Sequence, residues 1–306
     1  MNPKYYLIVV VGPTAVGKTD FCVQLARHFQ TEILSTDSRQ FFRELSIGTA
    51  KPTPEEQGGV PHHFVDSHSI QEEYNAGAFE ADALLLLTRL FRDHTVVIAT
   101  GGSGLYVRAL CEGLDEMPEI QPGIRERLTE RLAQEGLPAL VTQLQELDPV
   151  YAAQVDVQNP QRVIRALEVC LSSGQPYSSF RTQAAERKRD FRIIKIGLNR
   201  EREELYQRID QRMDLMLAQG LVEEARAMYP YKEHQALQTV GYTELFDYFD
   251  GKYDFEEAVR LLKRNSRRYA KRQLTWFRRD PEVQWFHPSQ QEEVLQYLHL
   301  QMSSDL

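Results

Sequence analysis

Cysteine is scarce in this chain. There are three in 306 residues, Cys22, Cys111 and Cys170. They are odd in number, lie far apart and form no C-x-x-C pair, which excludes a zinc finger and argues against a disulfide framework. Long apolar runs are missing too. The run that ends at Gly12 is about seven residues, too short to span a bilayer and without a small-residue cleavage site. Nothing elsewhere approaches the roughly 18 residues of a membrane span. No internal repeat and no low-complexity tract occurs. With 42% apolar and 26% charged residues the chain can bury a sizeable core, so disorder is excluded. The expectation is a soluble, cytoplasmic, monomeric protein of one large domain or two smaller ones. His62 and His63 are adjacent, with His68 nearby. Neighbouring histidines point different ways and no cysteine accompanies them, so a hydrogen-bonded pair or loop histidines is preferred to a metal site.

An overall positive charge is also lacking. The net charge is −8, which argues against a protein that coats nucleic acid everywhere. The charge is uneven, however. Residues 260–280 hold Arg260, Lys263, Arg264, Arg267, Arg268, Lys271, Arg272, Arg278 and Arg279 against one acid, Asp280. That segment carries +8 and leaves the rest at −16. A basic stripe on an acidic body suggests one defined polyanion site.

The secondary-structure signals alternate. "YYLIVVV" (5–11) is a continuous apolar, β-branched run, as a buried parallel strand requires. "EILST" (32–36), "TVVIATGG" (95–102) and "FRIIKIGLN" (191–199) read as further strands, with helices between them. The expected fold is α/β, a P-loop NTPase-like core whose parallel sheet is flanked by helices. Between roughly 116 and 185 the pattern is helical without a strong strand. "NPQRVIRALEVCLSSG" begins with Asn159 as a natural N-cap and Pro160 at the first helical position, and Gly174 lies just past its end. This predicts an inserted all-helical subdomain over 116–190, with 1–115 and 191–306 as the core. The last hundred residues read as helical, including "REELYQRIDQRMDLMLAQG" and "FEEAVRLLKRNSRRYAKRQLTWFRR".

Chemistry first shows at Gly12, Pro13, Thr14, Ala15, Val16, Gly17, Lys18 and Thr19, a full match to G-x-x-x-x-G-K-[ST] with a strand before it and a helix after it. Glycines let backbone amides turn toward phosphate oxygens, Lys18 adds a point charge, and Thr19 offers a hydroxyl to Mg²⁺. Asp37 ends the second strand, where it can face the same crevice and accept a proton; an N-cap or turn aspartate is the alternative. Gly101, Gly102 and Gly104 follow the third strand and suit either close approach to a ligand or a tight turn, with Ser103 over the crevice in both cases. Arg208 and Arg212 share a helix face, although Asp210 and Asp214 at the same spacing would also suit a solvated charged face. Tyr269, Trp276 and Phe277 interleave the basic stripe, which suits RNA as well as an exposed helix with its aromatics in the core.

Taken together, G-P-T-A-V-G-K-T, D-S-R-Q (37–40), I-G-T-A-K-P (47–52), G-V-P-H-H-F (59–64), T-G-G-S-G-L-Y (100–106), N-P-Q-R-V-I-R-A-L-E-V (159–169) and K-R-Q-L-T-W-F-R (271–278) resemble the tRNA dimethylallyltransferase (tRNA isopentenyltransferase) family, over nearly the whole chain and in the family's order. The resemblance implies that the loop holds the diphosphate of dimethylallyl diphosphate rather than ATP. The acceptor would be N6 of the adenosine 3′ of the anticodon. Lys18, Thr19, Asp37 and Ser103 would be catalytic; Ser103 stands where many members have Thr. Asp37, Ser38, Arg39 and Gln40 would meet the target nucleotide, and Arg39 stands where Met is common. Arg208 and Arg212 match the diphosphate-binding helix. Gln161, Arg162, Val163, Ile164 and Arg165 match a tRNA-contacting stretch, as do Lys271, Arg272, Gln273, Leu274, Thr275, Trp276, Phe277 and Arg278. Gln238, Thr239, Val240, Gly241, Tyr242 and Thr243 form a weaker match. Partners would be the anticodon stem-loop of tRNA and dimethylallyl diphosphate, with Mg²⁺ on Thr19 and no membrane.

The parts fit a mechanism. Adenine's amino group is a poor nucleophile, so the protein must stabilise the departing diphosphate and take the amine's proton. The base must leave the anticodon stack to reach the crevice. A P-loop small-molecule kinase would also place an acid after the second strand, but no arginine-rich lid motif is evident. A transferase acting on free AMP would not need the two tRNA-type stretches. A non-catalytic RNA-binding module would not need Lys18, Thr19 and Asp37.

Overall fold

Both faces of the first strand are buried, and the sheet grows outward from it. The computed structural model describes residues 5–181 and 189–303. Its strands are β1 (Tyr6–Val11), β2 (Ile33–Ser35), β3 (His62–His63), β4 (Val96–Gly101), β5 (Arg192–Leu198) and β6 (Gln284–Phe286). They form one parallel sheet in the order β3-β2-β4-β1-β5-β6. Tyr6, Ile8 and Val10 enter one apolar cluster and Leu7, Val9 and Val11 the other, which is why the β1 sequence reads as an unbroken apolar run.

Fourteen helices are described: α1 (Lys18–Phe29), α2 (Pro54–Gln57), α3 (Ala76–Leu90), α4 (Gly104–Glu112), α5 (Ile124–Glu135), α6 (Leu137–Leu147), α7 (Pro149–Ala152), α8 (Pro160–Ser173), α9 (Tyr177–Phe180), α10 (Arg202–Ala218), α11 (Leu221–Met228), α12 (Thr243–Phe249), α13 (Phe255–Phe277) and α14 (Gln291–Ser303). Local chemistry sets their ends. The Asn75 side chain accepts from Gly77 and Ala78 at the start of α3, and Asn159 accepts from Arg162 at the start of α8. Gly174 closes α8 in the left-handed conformation at φ 71°. None of the described helices is long and apolar enough to cross a membrane.

The described residues up to 111 and from 189 onward make one compact unit, and those from 112 to 181 a second. These limits stand a few residues from the expected 115/116 and 190/191, and residues 182–188 of the expected subdomain lie outside the described ones. The second unit holds α5 to α9 around its own core of Ile124, Leu128, Leu140, Leu144, Val163 and Leu167. Within it Glu168 is almost fully buried and is paired with Arg125 (Nη2–Oε2 2.9 Å).

Two strands are additions to the sequence reading. β3 has two residues and β6 three, too short for a periodicity. Their neighbours create them: Ile33 and Leu34 pair with His62 and His63, and Ile196 to Leu198 pair with Gln284 to Phe286. The last hundred residues are therefore not wholly helical.

Candidate active site

In an open parallel sheet, ligands sit outside the carboxyl ends of the strands. In the first unit the loops after β1, β2 and β4 leave the sheet at that edge. The loop after β1, residues 12–17, needs unusual backbone angles. Gly12 has φ 152° and Gly17, the N-cap of α1, φ 105°; even Ala15 is left-handed at 63°. A Cβ at Gly12 would lie 2.5 Å from the Leu198 carbonyl oxygen of β5, so the loop is seated on the neighbouring strand.

Basic side chains hold four of the loop carbonyls. Lys18 Nζ donates to the carbonyls of Gly12 (3.0 Å) and Pro13 (2.9 Å). Arg208 Nε donates to that of Ala15 (2.9 Å) and Arg200 Nε to that of Val16 (2.8 Å). Arg212 Nη1 reaches the Thr14 hydroxyl at 3.2 Å. Burial brings Lys18 down to about 8, with Asp37 opposing that shift and Arg212 adding to it. Burial likewise lowers Arg212, again against the pull of Asp37. Lys18, Arg212 and Asp37 therefore share one electrostatic environment. The aspartates that share this helix with the two arginines are engaged elsewhere. Asp210 pairs with Arg267 and Asp214 with Lys263, both on α13, rather than with their helix neighbours. Arg212 faces the crevice and Arg208 holds the loop from its exposed side.

The loop after β2 is organised by its own side chains. Asp37 Oδ1 accepts from the Arg39 N–H (2.9 Å), and the Ser35 hydroxyl accepts from the Asp37 N–H (3.3 Å) while donating to Gln40 Oε1 (3.1 Å). Asp37 thus has the turn role weighed above, which leaves Oδ2 outside that bond. Ser103 Oγ accepts from the Ser38 N–H (2.9 Å), donates to the Ser38 hydroxyl (3.0 Å) and hydrogen-bonds Tyr269. Arg39 is lowered by burial, opposed by Tyr106, Asp37 and Tyr269. Burial and Asp37 push Tyr269 up to about 12. Tyr106, Arg200 and Glu224 escaped the sequence reading, and Tyr269 was singled out only for RNA or the core. Tyr106 stood in a quoted motif without a role.

The glycines after β4 answer to neighbours within the chain. A Cβ at Gly101 would lie 2.2 Å from Thr36 Oγ1, one at Gly102 2.1 Å from Gln273 Nε2, and one at Gly104 2.2 Å from Trp276 Nε1. Gln273 and Trp276 belong to α13, so the basic helix reaches this edge of the sheet.

The stretches matched to tRNA contact divide by exposure. On α8, Gln161 and Arg162 are exposed and Arg165 pairs with Glu168, whereas Val163 and Ile164 lie in the core of the second unit. On α13, Lys271, Arg272, Thr275, Trp276 and Arg278 are exposed, Leu274 is half-buried, and Gln273 and Phe277 are buried. In 238–243, Gln238 is exposed and Thr239, Val240 and Thr243 are half-buried, but Gly241 and Tyr242 are buried. The Tyr242 hydroxyl donates to Glu224 Oε1 (2.6 Å), and Glu224 accepts the N–H groups of Ser46, Ile47 and Gly48 at 2.8–3.0 Å. Tyr242 therefore supports the I-G-T-A-K-P loop, and Gly48 leaves room for its ring. Arg260, Lys263 and Arg267 pair with acids, so the stripe's exposed charge lies at Arg268, Lys271, Arg272, Arg278 and Arg279.

The histidines are engaged elsewhere: His62 with the Val60 carbonyl, His63 with Glu32, and His68 stacked on Tyr74. Among the described residues no group of three or more His, Cys, Asp or Glu could hold a metal ion. An ion that takes most of its ligands from substrate oxygens and water needs no such group, and half-buried Thr19 beside Lys18 fits that donor set.

Comparisons with known proteins agree with one another. A family model described as IPP transferase matches residues 40–280. A tRNA dimethylallyltransferase of Cytophaga hutchinsonii is 57% identical over 297 residues, 97% of this chain and 97% of its own. The crystal structure of a tRNA isopentenylpyrophosphate transferase from Bacillus halodurans is similar with a TM-score of 0.73 and 38% identity, over 99% of this chain and 98% of its own. A eukaryotic dimethylallyltransferase acting on tRNA has a TM-score of 0.78 and 25% identity, over 93% and 74% of the two chains.

Proposed function

The chain belongs to the IPP transferase family, and from that membership we propose that it transfers the dimethylallyl group of dimethylallyl diphosphate to N6 of the adenosine 3′ of the anticodon in tRNA, releasing diphosphate. The observation that carries the proposal is the convergence of Lys18, Arg212 and Asp37 on one strand-end crevice. Cations for a departing diphosphate and a carboxylate for the amine's proton then stand side by side. The core is P-loop NTPase-like in this reading, with the glycine loop turned to a prenyl diphosphate, and residues 112–181 belong to an inserted helical subdomain.

As the allylic carbon–oxygen bond lengthens, charge grows on the diphosphate oxygens. Lys18 and Arg212 stabilise that charge in a partly dry site, where each such contact is worth several kcal/mol at the transition state, about 3 by comparison with oxyanion donors. The adenine amine attacks the allylic carbon and passes its proton to Asp37. Ser103, tied to Ser38 and Tyr269, fixes the loop that presents Asp37. Thr19 would hold Mg²⁺, which when bound supplies further charge neutralisation for the diphosphate. Exposed Lys271, Arg272 and Arg278, with Gln161 and Arg162 of the helical subdomain, are the side chains suited to RNA phosphates.

The test is transfer of radiolabelled dimethylallyl diphosphate to unmodified tRNA, to the same tRNA with guanosine 3′ of the anticodon, and to free AMP. Label is expected in the first acceptor alone, reduced by about 10²–10⁴-fold in Asp37→Ala. Label in AMP would move the protein to free-nucleotide chemistry. No label in any acceptor, with magnesium and folded protein, would sink the transferase reading.

A further inference from the structure

Gln273 sits on the helix that carries the basic stripe, yet its side chain is buried. Both ends of its amide are used. Oε1 accepts the Thr14 N–H of the glycine loop at 2.8 Å, and Nε2 donates to the Gly102 carbonyl at 3.0 Å. One amide thus spans the loops after β1 and β4. It also occupies one N–H of the glycine loop. The contact is tight, because a Cβ at Gly102 would fall 2.1 Å from Nε2. Tyr269 and Trp276 lie on the same face of α13 at helical spacing; Tyr269 bonds Ser103 and Trp276 packs on Gly104. Lys271, Arg272 and Thr275 are exposed. One helix therefore presents cations to solvent on one side and holds the diphosphate and nucleotide loops on the other.

We infer that Gln273 is a positioning residue that couples RNA on the outer face of α13 to diphosphate in the glycine loop. This rests on the transferase reading and adds a role for a residue that the tRNA resemblance alone would place in contact with RNA. A helix shift of a fraction of an ångström on RNA binding moves Thr14 and Gly102 together through one rigid amide. By reciprocity, diphosphate tightens RNA by the same factor.

The experiment measures the affinity of the intact protein for inorganic diphosphate, with and without a saturating anticodon stem-loop RNA, in wild type and Gln273→Met. Methionine keeps the volume and removes both hydrogen bonds. RNA is expected to tighten diphosphate about tenfold in wild type and to leave it unchanged within about twofold in Gln273→Met. RNA affinity without diphosphate should be equal in the two proteins, which a direct RNA contact would not allow. Wild-type coupling in Gln273→Met, no coupling in wild type, or weakened RNA binding in the variant would each overturn the inference. Gln273→Asn, too short to span both loops, must show the same loss and serves if the methionine variant does not fold. Absence of label transfer by wild type sinks the transferase reading itself, whereas transfer with coupling intact in both variants sinks only the role of Gln273.

Discussion

Lys18 is folded back on its own loop, where its ammonium donates to the carbonyls of Gly12 and Pro13. Burial holds it near 8 instead of the ordinary 10.5. Between those two values the unfolded lysine keeps a proton that the folded one has lost, so the Lys18 contribution to stability rises with pH across that window and is smallest below it. Diphosphate favours the ammonium. Binding near pH 9 should therefore take up a proton, and affinity should fall as pH climbs past about 8. Calorimetry in two buffers of different ionisation heat checks the uptake, which Lys18→Met should abolish. The two arginines of α10 separate at the same scale. Arg212→Ala should lower kcat/KM by about a hundredfold, as loss of a charge-stabilising donor does. Arg208→Ala, which removes only the grip on Ala15, should cost about tenfold or less, because the loop retains its other anchors. Equal losses of kcat/KM in the two variants would contradict the division. Their shared face was legible in the sequence. Which one faces the crevice was not, because that depends on Asp210 and Asp214 being drawn to a helix more than forty residues away.

At the scale of elements, the strands that read clearly were those buried on both faces, because burial alone produces an unbroken β-branched run. The α8 helix was legible from its caps, Asn159 and Gly174. β3 and β6 were not, since each owes its strand state to a partner distant in sequence. The roles of Gln273, Tyr242 and Glu224 were hidden for the same reason. A spacing rule reports neighbours on one element, and these side chains join different ones. The glycines of the strand-end loops likewise carried two readings until their neighbours were known. Their packing partners now rank them. Gly12→Ala would press on the β5 backbone at a positive φ and should cost about 3 kcal/mol. Gly104→Ala meets the indole of half-exposed Trp276, which can swing aside, and should cost about 1 kcal/mol. Denaturant midpoints of the two variants give the comparison directly, and a larger loss at Gly104 would reverse the ranking.

For the whole molecule, an acidic body bears a short run of exposed cations. Arg268, Lys271, Arg272, Arg278 and Arg279 lie on the surface of the stripe, where exposed Arg260 is paired with Glu257. If all five meet phosphates, the logarithm of RNA affinity should fall with the logarithm of salt with a slope of about −4, or roughly 250-fold between 50 and 200 mM. Lys271→Ala should reduce that slope by about 1 whatever the RNA sequence, as filter binding at several salt concentrations would show. A last consequence follows from the bond between Thr14 and Gln273, which are 259 residues apart. The glycine loop is made before its seat on β5 and before its amide anchor on α13. While the ribosome is still at work, β1 has no β5 to cover one of its edges, and the chain must carry that apolar strand until residues 192–198 emerge. Completion of the glycine-loop anchor thus waits until residue 273 has emerged.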